Sequence, residues 1–230
     1  MTTASTPRLG LPPGTSYRLL LPPQWVRLPV NSVGMRAAAR RHLEVRFADL
    51  PRDRTLALRR QLEDELVGLA ETVSGQFAVD ILLLSTDLAG VPVSASGLVS
   101  LVPIPLSDET HLQRLRETTA EGADTSGVVD LGSNRVVRVL RHAEPTSADG
   151  EPVAATAEVA RTVLGPDDGS ATPLTGRSRL LDYYVPVPDS DAVMLLSFST
   201  AVPALFEPLT GLFDAIASTL QWQQEGTPWR

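Results

Sequence analysis

Chemistry in this chain can come only from histidine, carboxylate, hydroxyl and arginine side chains, because cysteine is absent and the 20 basic residues are all arginine. That removes thiolate nucleophiles, cysteine-held zinc or iron–sulfur centres, lysine Schiff bases and the lysine grip of a P-loop. The three histidines, His42, His111 and His142, stand far apart and show no His-Glu-x-x-His or comparable ligand spacing. Ser94 and Ser96 lead into Gly97, yet no glycine stands two residues before either, so the Gly-x-Ser-x-Gly elbow is missing. Small side chains there read instead as room for a bulge or a close crossing. Asp167-Asp168-Gly169-Ser170 starts like a calcium loop but lacks the next aspartate and the closing glutamate, and reads as a turn.

Carboxylates need a partner or a buried setting to do acid–base work. Glu63, Asp64 and Glu65 follow one another on an expected helix, where successive residues splay around the axis, and read as a solvated face. Asp182 differs, because it interrupts an apolar strand just before Tyr183 and Tyr184. It could pair with Arg135, Arg138 or Arg141, and an outward-facing edge position explains it as well. Aromatic residues make up only 5% of the chain, which draws notice to Trp25, Tyr183, Tyr184 and Trp222 as interface anchors or core packing.

The elements that must position these residues follow from periodicity and turn chemistry. Residues 1–15 are small, polar and proline-rich, a flexible tail on composition. Short β-type runs over Tyr17–Leu21 and Trp25–Val30 flank Pro22-Pro23 as edge strands. A helix is expected from an Asn31 or Ser32 cap to about Phe47, and a second from Arg54 to Ser74 with Leu58, Leu62, Leu66, Leu69 and Val73 on one face. Arg59 with Glu63 and Arg60 with Asp64 have the spacing of helical ion pairs. The unbroken Ile81-Leu82-Leu83-Leu84 reads as a strand buried on both faces, and a strand from Val93 to Ile104 follows. A third helix starts at Ser107 or Asp108.

Two hairpins are expected next: Val128–Leu131 with Arg135–Leu140 around Gly132-Ser133-Asn134, and Leu180–Val187 with Ala192–Thr200 around Pro188-Asp189-Ser190-Asp191. The last helix carries Leu205, Leu209, Leu212, Phe213, Ile216 and Leu220 on one face and is expected to run through Trp222 over the final hairpin. Between the hairpins, residues 143–177 form a loop-rich excursion. Hairpins outnumber parallel crossovers, so the reading is one α+β domain over 16–222, a mostly antiparallel sheet with helices packed on its faces, followed by a tail over 223–230.

Composition limits partners. A net charge of -7 and a pI near 5.0 argue against nucleic acid, whose binders draw affinity from basic surface. No run approaches the roughly 18 apolar residues of a membrane span, and no secretory segment opens the chain, so residence in the cytoplasm is the default expectation.

Tyr183-Tyr184-Val185-Pro186-Val187-Pro188, Leu195–Thr200 and Leu212–Trp222 resemble the end of a family of actinobacterial proteins with a Mog1/PsbP-like fold. Pro22–Val26 and Ser94–Val99 share the likeness more weakly. The resemblance implies an antiparallel sheet between helical layers and an accessory role beside type VII (ESX, WXG100) secretion components, and it transfers no catalytic residue. The expectation is a non-catalytic, cofactor-free protein that binds other proteins through residues among Trp25, Arg138, Asp182, Tyr183, Tyr184 and Trp222. An enzyme or small-ligand binder gathering His142, Asp182 and the Arg135–Arg141 strand is the alternative, and a self-associating subunit is the third class.

Overall fold

The computed structural model describes residues 11–30, 32–48, 50–74, 77–88, 91–106, 108–143, 178–200 and 202–224. The Asn31 cap, the excursion from 144 to 177 with its Asp167–Ser170 turn, and the expected tail segments 1–10 and 225–230 lie outside the described residues.

In chain order the elements are β1 (Thr15–Arg18), β2 (Trp25–Pro29), α1 (Ser32–Arg46), α2 (Arg52–Ser74), β3 (Ala78–Leu88), β4 (Val91–Val102), α3 (Glu109–Ala120), β5 (Ala123–Leu131), β6 (Asn134–Ala143), β7 (Ser178–Pro186), β8 (Val193–Ser199), α4 (Phe206–Ser218) and β9 (Gln221–Gln224). Seven strands form one sheet in the order β2-β3-β4-β8-β7-β6-β5, with every neighbouring pair antiparallel. The protein is an α+β sandwich with helices on both faces of a mostly antiparallel sheet.

Register shows which residues share a face. Ile81, Leu98, Ser197, Asp182 and Val139 stand opposite one another across β3, β4, β8, β7 and β6. Ile81 and Leu98 pack with Leu62, Leu66 and Val73 of α2 and Met35 and Leu43 of α1. Val139 packs with Leu112 and Leu115 of α3. The first face therefore carries helices at both ends, with Asp182 and Ser197 between them. One residue along, Leu82, Gly97, Phe198, Leu181 and Leu140 form the row of the opposite face. This second face is covered by α4, whose Phe213, Ile216 and Ala217 join Phe198 and Tyr183 in the largest apolar cluster.

The Ile81–Leu84 run is buried on both sides, as its lack of alternation demands. Gly97 is small for a packing reason, since a Cβ there would meet the Phe198 ring at 3.0 Å and Leu82 Cβ at 3.3 Å. The final hairpin lies under α4 as expected. An Arg138 fork to Asp214, at 2.8 and 3.3 Å, and a 2.6 Å bond from the Tyr183 hydroxyl to the same carboxylate tie α4 to β6 and β7.

Several expectations are corrected. The last helix stops at Ser218, not Trp222, and Gln221–Gln224 forms β9, which pairs with β1 in a separate two-stranded ribbon. The Tyr17 run is therefore no edge of the main sheet. Leu220 and Trp222 are two residues apart, the spacing of strand alternation and not of one helix face. Glu63 does not sit on a solvated face or pair along α2. It is buried between helices, accepting from Arg40 at 2.9 Å and Arg36 at 3.1 Å across the α1–α2 seam. The hydrogen bond from Arg40 chiefly lowers its carboxyl from the ordinary value, against the opposing effect of burial. Arg59 instead donates to the Phe47 carbonyl at 2.7 Å.

Candidate functional site

The turn ends of the sheet converge on a groove. Antiparallel order puts the β5–β6 turn, the β7–β8 turn and the segment entering α3 at the same edge, and β9 brings Trp222 to it from the second face. A cavity of about 740 Å³ results, with Leu106, Leu112, Pro186, Val187 and Trp222 supplying apolar walls. Asp108, Glu109, Asp189 and Asp191 bring four carboxylates to the same cavity, against one guanidinium from Arg135.

Local chemistry fixes each of these groups. Asp108 caps α3 by accepting the His111 backbone N–H at 2.9 Å, and its side chain also meets the His111 ring at 2.9 Å. That backbone hydrogen bond chiefly holds the Asp108 carboxyl below the usual carboxylate range. Glu109, on the first turn of α3, is forked by Arg135 at 3.1 and 3.2 Å. Asp189 adopts a left-handed backbone, φ 54°, as short polar residues in turns do, and accepts from Gln224 at 3.0 Å. Asp191 makes no hydrogen bond or ion pair among the described residues.

The groove is held in shape from below. Asn134 donates to the Leu220 carbonyl at 2.7 Å, fastening the β5–β6 turn to the chain leaving α4. Trp222 meets Tyr17 edge-on at 6.5 Å, and its indole N–H is buried with no acceptor among the described residues. Among the described residues no three of His, Cys, Asp and Glu converge well enough to hold a metal ion, so the four carboxylates are spread along the walls.

A second polar group lies inside the sheet. Asp182, fully buried in central β7, accepts a short hydrogen bond from Ser197 and lies 2.6 Å from Arg141 Nη2. Asp182 Oδ2 and Arg141 Nε have no hydrogen-bond partner among the described residues. Burial raises the carboxyl's pKa, and the nearby Arg141 charge and the Ser197 bond offset this only in part. Tyr184, also buried, is pushed up to about 12 by burial first and then by the Asp182 charge. Ser96 and Ser199, two residues along on the same face, bond to each other at 3.0 Å.

The native state thus binds the Asp182 proton more readily than the unfolded chain. Its contribution to stability falls as pH rises from the unfolded value of 3.8 through the raised native value. Asp182→Asn removes that titration and keeps the side-chain volume. The stability of the variant relative to the wild type is expected to improve as pH rises through this window and then level off. Urea midpoints measured from acid to neutral pH check it, and two curves running parallel throughout would refute it.

The structure separates the residues singled out in the sequence. Of the three candidate arginines, Arg141 partners Asp182, Arg138 holds Asp214 and Arg135 holds Glu109. The outward-edge reading of Asp182 fails because β7 is interior. His142 follows Arg141 on β6 and so faces the other side of the sheet, 2.9 Å from Asp124. The enzyme-like gathering of His142 with Asp182 does not form. Trp25, Tyr183 and Tyr184 are buried in the core, whereas Trp222 reaches the groove.

The groove acids carried no functional signal in sequence. Asp108 reads as a cap and Asp189 and Asp191 as turn formers, and only strand order brings these segments together. The chain matches no family model, no curated protein and no solved structure.

Proposed function

We propose that the protein is a non-catalytic interaction protein that docks a partner protein in the groove at the turn ends of its sheet. The observation that carries this reading is an open concavity of about 740 Å³ with apolar walls and a partly exposed tryptophan, built on turns anchored to a packed sheet. Binding sites favour this combination, since a rigid scaffold positions loops that themselves need not pack. Large aromatics at such places supply contact area at small entropic cost. The resemblance of the closing hairpin and helix offers a setting, an accessory role beside type VII secretion components.

Affinity capture from the native host, with the wild-type chain and an Asp191→Arg variant, tests both levels. Secretion components are expected to be enriched by the wild type and lost with the variant. Enrichment of none of them over a control would remove the setting. Equal capture by both chains would remove the groove.

A further inference from the structure

We infer that the groove takes a short cationic peptide segment, with an arginine or lysine side chain laid against Trp222 and its charge among the wall carboxylates. The inference rests on the reading of the groove as a docking site and names the chemistry of what docks.

Charge balance is the first argument. Four carboxylates line the cavity against one guanidinium, and Arg135 is already committed to Glu109 at 3.1 Å. Asp191 has no partner among the described residues, and Asp189 has only the neutral amide of Gln224 at 3.0 Å. A ligand with its own carboxylates would meet uncompensated like charge, and one with cations would meet complementary potential. The net charge of -7 adds a long-range field of the same sign.

Shape is the second. The carboxylates do not converge as metal ligands do. Asp108 and Glu109 come from the start of α3 and Asp189 and Asp191 from the β7–β8 turn, so a single small cation would satisfy only one of the two pairs. A peptide can present apolar surface to Pro186, Val187 and Leu106 while its cationic side chains reach both rims. Arginine and lysine suit this arrangement because their alkyl stems cover apolar surface while the head stays with the acids. Trp222 lines the cavity and supplies an aromatic surface against which a guanidinium or ammonium can rest.

Titration of the full chain, followed by two-dimensional NMR of backbone and indole N–H groups, tests this with three synthetic peptides. One alternates arginine and leucine, one has glutamate for arginine, and one has serine. The arginine peptide is expected to shift the Trp222 indole and the Asp189–Asp191 amides, with affinity weakened at least tenfold by Asp189→Asn with Asp191→Asn and weakened further by added salt. The glutamate peptide is expected not to bind. Equal shifts of the groove signals by the serine and arginine peptides would overturn the cationic preference while leaving the groove a docking site. Groove signals unmoved by all three would overturn both, as would arginine-peptide binding mapped elsewhere.

Discussion

Gly132→Ala is expected to cost about 2–5 kcal/mol, a strained backbone adding to an overpacked contact. Gly132 holds φ at 60° in the β5–β6 turn, and a Cβ built there falls 2.1 Å from the Ser218 carbonyl oxygen. Neither neighbour yields cheaply, since one is a tight turn and the other the last turn of α4. Any shift that relieves the clash also pulls Asn134 from the Leu220 carbonyl, now 2.7 Å away. Urea unfolding checks the size of the effect. Gly127→Ala is the control, because a Cβ there meets nothing within 4 Å, and equal losses in the two variants would refute the account.

Phe213→Ala is expected to cost about 3–5 kcal/mol, the range for deleting a buried aromatic ring. Phe213 is fully buried and stacks on Phe198 with centroids 5.0 Å apart and planes 14° from parallel. Trp25 and Phe206 meet it edge-on, each at 6.3 Å. No single neighbour can collapse into the vacated space, because the ring touches side chains from β2, β8 and its own helix. Denaturant midpoints give the loss. A cost under about 1 kcal/mol would mean that α4 is not seated on the sheet as described.

The sequence carried most of the architecture because its signals were local. The turn over Pro188–Asp191, the uninterrupted Ile81–Leu84 strand, the Asp108 cap and the apolar stripe on α4 each follow from the chemistry of a few adjacent residues. What escaped was non-local. Tyr17 reads as a strand from its neighbours, but nothing near it says that its partner is Trp222, some two hundred residues on. Glu63 has a plausible partner along its own helix in Arg59, and the competing offer from Arg36 and Arg40 exists only once α1 and α2 lie side by side.

The groove illustrates the same limit. Of the residues around it, only Trp222 and Arg135 stand out in the sequence, the first for its type and the second as a partner for Asp182, which it does not meet. Each acid has a sufficient local role, and their meeting depends on the strand order that places β6 beside β7. Asp182 shows the reverse, for an acid inside an apolar strand is conspicuous in one dimension. Its burial in the sheet needs the structure, and its choice of Arg141 needs the register.

The β1–β9 ribbon has a topological consequence. Thr15 stands opposite Gln224, so the first and last strands among the described residues are hydrogen-bonded neighbours and the backbone from β1 to β9 nearly closes a ring. A short peptide bridge across that ribbon would complete the ring with little distortion, and the chain could then be opened at another surface turn while keeping every strand pairing.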